Sequence, residues 1–218
     1  MTWIKICGTT SLADAESAVE AGADALGFIF APSPRQISPE KAAEIIRQLP
    51  QAIEKVGVFV GSRPDPIAAV LRKAPLTMVQ LRGARACEAA RQLRAGNPEL
   101  KVCAVLAGRA VQRELAALPP DAADVLQFLM LDNSTKEQAG GTGRPFGWKQ
   151  ALPALQQFAR AWKIVIAGGL TAENVGEAIG LFHPFGVDVV SGVESSPGVK
   201  DAKKLKAFVA AVRAATGL

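Results

Sequence analysis

Val56-Gly57-Val58-Phe59-Val60 and Ile164-Val165-Ile166-Ala167 are short, unbroken apolar runs rich in β-branched residues. They lack the in-and-out alternation of a half-exposed sheet. Such runs form strands buried on both faces, the situation inside a parallel sheet. Working outward from them, similar segments occur at Trp3–Cys7, Ala25–Phe30, Lys55–Val60, Met78–Leu81, Lys101–Leu106, Val125–Leu131, Lys163–Ala167 and Gly186–Ser191. Ala/Leu-rich helical patterns fill the gaps. Most strand starts are spaced by roughly 23 to 30 residues, the size of a βα unit. Eight units in this order predict an α/β protein, a single-domain (β/α)8 TIM barrel over residues 1–218, with a doubly wound sheet as the main rival.

The helix signals agree. Ser11 is placed to cap a helix with Asp14 three residues on, and Gly22 to end it. Ser38-Pro39 reads as an N-cap followed by proline at the first helical position. Thr171 is expected to open a third helix carrying Val175, Ala178 and Ile179, and Asp201 the last, which buries Leu205, Phe208, Val209 and Val212.

The chain has 218 residues, 49% hydrophobic and 21% charged, enough apolar material for a sizeable core without crosslinks. No apolar run approaches the roughly 18 residues of a membrane helix, and the start of the chain has no secretory pattern, so a cytoplasmic protein is expected. Three scattered cysteines and one histidine are too few for a disulfide framework or a multi-histidine metal site, and neither metal nor cofactor is expected. The net charge of +5 is uneven: residues 63–113 hold ten basic against three acidic residues. Basic helix faces turned to solvent explain this most simply. Steering of an anionic ligand comes next, and nucleic acid last, because the segment has no Phe, Trp or Tyr for stacking.

In a βα barrel, function gathers at the C-terminal ends of the strands. Cys7 ends the first strand, Arg35 follows the second, Arg82 ends the fourth and Asp132 the sixth. Gly168-Gly169 follow the seventh and Ser191-Gly192 the eighth. Cys7 is equally readable as a thiolate base or nucleophile and as a small buried hydrophobe. Asp132, after four apolar residues, is either paired, or raised in pKa in a pocket, or a cap for the next turn. The glycine pairs suit a phosphate held by backbone N–H groups. Cys87 and Cys103 read as packing, and His183 as structural. Ala139–Trp148, with Gly141 and Gly143, reads as a lid, a phosphate cradle or a long turn.

Taken together, these residues resemble the phosphoribosylanthranilate isomerase family of tryptophan biosynthesis. The matching runs are Lys5–Thr10, Gly27–Phe30 with Ser33-Pro34-Arg35 and Ser38-Pro39, Val79-Gln80-Leu81, Leu131-Asp132, Gly140–Gly143, Phe146-Gly147-Trp148, Ala167–Leu170, Glu173-Asn174-Val175, Gly186–Ser195 and Pro197–Asp201. Each is weak alone; their order and spacing are specific. The resemblance implies an Amadori rearrangement of an N-(5-phosphoribosyl)anthranilate, with Asp132 as general acid, Cys7 as general base and Arg35 on the anthranilate carboxylate. It further implies Asp188 near the substrate, the glycine amides on the phosphate, and Gly141 and Gly143 in a lid. The partner it implies is a small phosphorylated substrate, the protein being a monomer or homodimer that engages neither nucleic acid nor membrane. Where the family commonly has His, this chain has Arg82, which adds a fixed positive charge and cannot act as a neutral proton carrier. Indole-glycerol-phosphate synthase would need a strand-end Lys and Glu, and a histidine-pathway sugar isomerase an acid on strands one and five; neither is found here. A catalytically dead, phosphate-binding barrel is the remaining alternative, encouraged by Arg82 alone.

Overall fold

The computed structural model describes residues 1–61, 63–82, 85–132 and 162–217. Eight parallel strands pair in sequence order and close on themselves: β1 (Trp3–Cys7), β2 (Ala25–Ile29), β3 (Glu54–Val60), β4 (Met78–Arg82), β5 (Lys101–Ala107), β6 (Phe128–Asp132), β7 (Lys163–Ala167) and β8 (Gly186–Val189). Closure is the pairing of β8 back onto β1, with Lys5 opposite Asp188 in the register. This is the (β/α)8 barrel expected from the strand spacing; the doubly wound rival, an open sheet, is excluded.

Along each strand, side chains alternate between two cores. Ile4, Ile6, Leu26, Phe28, Val79, Leu81, Leu129, Leu131 and Ile166 point outward beneath the helices. Burial of each such side chain stabilises the fold by about 1.5–3 kcal/mol. The barrel interior holds Ala25, Val56, Met78, Cys103, Val105, Met130 and Val165. Its floor is an aromatic plug in which Trp3, Phe128 and Phe185 lie with ring centroids 5.6–6.1 Å apart. The Lys163 ammonium covers the Phe128 and Phe185 rings at 5.3 and 4.7 Å, a cation–π arrangement.

The outer layer contains α1 (Leu12–Ala21), α2 (Pro39–Ile46), α3 (Pro64–Lys73), α4 (Ala86–Gly96), the short α5 (Val111–Ala116) and α6 (Ala122–Val125), then α7 (Val175–Phe182) and α8 (Ala202–Ala215). Ser11 and Ser38 cap α1 and α2 by accepting from Asp14 and Lys41 amides, and Gly22 closes α1 in the left-handed region. Asp201 caps α8 through the amides of Lys203 and Lys204. Basic residues of the 63–113 segment lie on exposed faces of α3 and α4, where Lys73 pairs with Glu40 and Arg91 with Asp121. No helix among the described residues is long and apolar enough to cross a membrane.

Three boundaries differ from expectation by two residues or more, and several strand ends by one. Val125 belongs to α6, because the Leu126 amide bonds back to the Ala122 carbonyl, so β6 begins at Phe128. Thr171 does not cap a helix: its amide donates to the Asn174 side chain, and α7 starts at Val175. β8 ends at Val189, since the chain then turns into a single 3-10 turn, Ser191–Val193. His183 takes a left-handed conformation that ends α7, which is a structural role, as expected.

Two glycines give opposite predictions for one kind of change. A Cβ at Gly186 would sit 2.7 Å from the Trp3 carbonyl oxygen and 2.7 Å from its ring. Gly186→Ala is therefore expected to lower stability by about 1–3 kcal/mol. Gly180 lies within α7 with open space around it, and Gly180→Ala is expected to raise stability by about 0.5–1 kcal/mol. Urea unfolding of both variants against the parent chain measures the contrast.

Candidate active site

Cys7 ends β1 with its side chain turned into the barrel and almost fully buried. Lys5, two residues earlier on the same face, is 1% exposed, and its Nζ meets Asp188 Oδ1 at 2.8 Å. A regular strand places Lys5 and Cys7 side by side, and Gly27, the β2 partner of Cys7, makes the room. A Cβ at Gly27 would lie 2.6 Å from Cys7 Sγ and 3.0 Å from Lys5 Nζ. Thiol and ammonium are therefore separated by no more than the sum of those two lengths.

Burial pushes the Cys7 thiol up; the Lys5 ammonium opposes that rise and the Asp188 carboxylate adds to it. Burial opposes the charge on Lys5 too, yet Asp188 and Cys7 together hold it above the ordinary lysine range. Asp188 is raised by its burial, against the pull of Lys5, and the Asp132 carboxylate adds to the upward push. Cys103, deeper in the barrel, is pushed up to about 12 by burial, so it is inert packing, as expected. Cys87 is buried in α4.

Arg35 lies over Gly8: a Cβ added at Gly8 would fall 2.8 Å from Arg35 Cδ, and Gly8 adopts φ 79°, a conformation open to glycine. The guanidinium is held by Glu194 at two points, Nε donating at 2.9 and 3.1 Å and one terminal nitrogen at 2.7 Å. Lys200 Nζ also donates to Glu194, at 3.0 Å, and to the Cys7 carbonyl at 2.5 Å. Burial works against the Glu194 charge, but Arg35 and Lys200 hold its carboxyl below the usual range. The planar fork of Arg35 is thus committed on one edge to a protein carboxylate.

Arg82 and Asp132 close the opposite side. Their side chains form an ion pair, the Arg82 side chain 40% and the Asp132 side chain 18% exposed. Of the readings open to Asp132 it takes the paired one: it is the last residue of β6, past the packed run Phe128–Leu131, and it faces a guanidinium. Two residues before Arg82, on the same strand face, Gln80 keeps a buried Oε1 with no hydrogen-bond partner among the described residues, an acceptor suited to a substrate hydroxyl.

After β7 and β8, Gly169, Thr171, Ser191, Gly192 and Lys204 line a cavity of about 320 Å³, with Glu173 also on its wall. Gly168 and Gly169 have φ of 89° and 72°, which turn the chain at the strand end, and Gly168 lies one residue outside the lining. Gly192 packs so closely that a Cβ would sit 2.1 Å from the Leu170 carbonyl oxygen. The Asn174 carboxamide holds the loop, accepting from the Thr171 amide and donating to the Gly169 carbonyl. Lys204, from α8, adds a cation and is itself anchored on the Glu194 carbonyl at 2.7 Å.

All strand-end candidates among the described residues therefore lie at the C-terminal rim of the barrel. Gly141 and Gly143 lie outside the described residues. Sequence reasoning missed Glu194, Lys200 and Lys204. Glu194 and Lys200 fall within the matching runs Gly186–Ser195 and Pro197–Asp201, the one signal that pointed to them.

The family model for N-(5'phosphoribosyl)anthranilate (PRA) isomerase matches residues 4–211. A relative from Trichlorobacter lovleyi named N-(5'-phosphoribosyl)anthranilate isomerase is 44% identical over 210 residues, covering 96% of this chain and 97% of the relative. The crystal structure of the phosphoribosyl anthranilate isomerase of Thermotoga maritima superposes with a TM-score of 0.83 at 39% identity, over the full length of both chains. A phosphoribosyl anthranilate isomerase in complex with reduced 1-(o-carboxyphenylamino)-1-deoxyribulose 5-phosphate matches with a TM-score of 0.80 at 36% identity, again over both full lengths. With matches of this extent on a barrel whose rim gathers Cys7, Asp132 and a glycine-lined cavity, the chain belongs to the N-(5'-phosphoribosyl)anthranilate isomerase family.

Proposed function

We propose that this chain isomerises N-(5'-phosphoribosyl)anthranilate to 1-(2-carboxyphenylamino)-1-deoxyribulose 5-phosphate, with Asp132 as general acid and Cys7 as general base, and that residues 1–218 act as one catalytic domain. The observation that carries this reading is the gathering of the thiol, the carboxyl and an anion-sized cavity at one end of the barrel. Family membership supplies the substrate.

Asp132 gives its proton to the furanose ring oxygen, the C1–O bond breaks, and the anilino nitrogen's lone pair forms the C1=N iminium. Cys7, as thiolate, then takes the proton from C2. The electron pair of that C–H bond becomes the C1=C2 double bond, and the iminium π pair returns to nitrogen. The enolamine tautomerises to the ketose. The cationic nitrogen is the electron sink, so the reaction needs no metal.

The rim charges suit a substrate with two anionic groups, a phosphate and a carboxylate. The phosphate enters the cavity lined by Gly169, Ser191, Gly192 and Lys204, where backbone amides and an ammonium meet it. Arg35, held rigid by Glu194, offers its other edge to the anthranilate carboxylate. Arg82 is the second guanidinium within the mouth. A substrate anion would compete with Asp132 for that guanidinium. The three cysteines are free thiols, which suits a reducing, cytoplasmic compartment.

Steady-state turnover of N-(5'-phosphoribosyl)anthranilate by the purified chain tests the reading, and absence of turnover at any pH would leave a binding protein in its place. Cys7→Ala and Asp132→Asn are each expected to lower kcat by about 10²–10⁴-fold; a near-normal kcat in either removes that residue from the chemistry. Arg82→His is expected to raise KM several-fold at low ionic strength, with the difference shrinking in high salt as the lost attraction is screened. An unchanged KM and salt dependence would show that Arg82 contributes nothing to holding the anion.

A further inference from the structure

We propose that Lys5 is a positioning residue for the Cys7 base: its buried ammonium, anchored on Asp188, is the counter-charge that lets the thiol become a thiolate inside the barrel. This rests on the assignment of Cys7 as the base and goes beyond it, because it names what makes a sealed thiol usable.

Lys5 is among the largest fully buried side chains of the molecule, and a lysine in such a place is ordinarily paired. Its Nζ reaches Asp188 at 2.8 Å on one side. On the other it shares with Cys7 Sγ the hollow left by the absent side chain of Gly27. The register sets both contacts. Lys5 is opposite Asp188 across the β1–β8 seam, and Cys7 is opposite Gly27 across β1–β2. The ammonium thus stands between a carboxylate and a thiol, with three protons to direct.

The surroundings of the thiol bring charge from several elements. Lys5 is on β1 and Asp188 on β8, while Lys200, on the short strand Val199–Lys200, donates to the Cys7 carbonyl. Arg35 follows β2 and is tied to Glu194, which also holds Lys200. Asp132 ends β6, and Cys103 lies on β5. Among the cations near the thiol, Lys5 acts more strongly than Lys200, Arg35 is also coupled to it, and Asp188 is the carboxylate that works against them. Arg35 faces Glu194 and is largely neutralised there. Removing Lys5 would leave burial opposed chiefly by the weaker pull of Lys200 and push the thiol further up. Asp188 moderates the effect, because it competes with the thiolate for the same ammonium.

Thiolate formation at Cys7 is read directly by ultraviolet titration, with Cys7→Ala proteins as blanks for Cys87 and Cys103. In Asp188→Asn the ammonium has no carboxylate partner, and the Cys7 titration is expected to move down by about one unit. In the double variant Lys5→Met/Asp188→Asn both charges are gone, and the titration is expected about one unit or more above the parent, with the acidic limb of the kcat/KM profile moving alkaline by the same amount. The double variant avoids the unpaired buried carboxylate that the single Lys5→Met would carry. Equal Cys7 titrations in Asp188→Asn and in the double variant would overturn the proposal. That failure is distinct from failure of the base assignment, which shows as turnover by Cys7→Ala while the titrations stand unaffected.

Discussion

The ion pair between Lys5 and Asp188 spans the seam where the first and last strands of the barrel meet, joining residues 183 positions apart in the chain. Taking two charges out of water costs several kcal/mol per ion, and their mutual attraction returns much of it only when geometry is good. Here it is good, with a direct hydrogen bond and both side chains almost wholly enclosed. Truncating one partner of such a pair costs about 3–5 kcal/mol, because the other is left buried and uncompensated. An apolar pair would close the seam at least as well for stability alone. The pair at this point holds the counter-charge proposed above for Cys7. Arg213 of α8 ties down the entries to β1 and β2 from outside, donating to the Thr2 carbonyl at 2.9 Å and the Gly22 carbonyl at 3.3 Å.

The rim uses charge in two further ways. Arg35, Glu194 and Lys200 form a closed cluster in which each group is paired, so the Arg35 guanidinium is fixed in plane before any ligand arrives. Order of that kind lowers the entropy lost on binding an anion. Arg82 and Asp132 form a more open pair, with the Arg82 side chain 40% exposed. Exposure weakens an ion pair by screening it, which makes this partnership the easier one to exchange. The mouth thus carries a rigid cation on one side and a more exposed one on the other.

The strands were legible because burial on both faces leaves an unmistakable apolar run, as at Val56–Val60, and because their ends carry Cys7, Arg82, Asp132 and paired glycines at regular intervals. Helix starts at Ser11, Ser38 and Asp201 were legible from cap chemistry that acts within three residues. What escaped depends on contacts distant in sequence. Glu194 reads as one more surface acid until β2 and β8 are brought together and Arg35 lands on it. Thr171 has the composition of a cap, but the Asn174 carboxamide takes its amide and shifts the helix start. Val125 has a strand-like side chain, yet Pro119 and Pro120 set up the helical turn that claims it. The setting of Asp132 was hidden for the same reason: four apolar neighbours along the chain say nothing of an arginine arriving from β4, fifty residues away.

The floor of Trp3, Phe128 and Phe185 beneath its lysine lid stoppers the barrel at the end remote from the rim. Once a substrate covers the mouth, the hollow around residue 27 is walled off above and below. On the proposed chemistry, a hydrogen lifted from the sugar by Cys7 would have few routes to bulk solvent, and isotope label at that carbon would be carried partly into the ketose instead of washing out entirely.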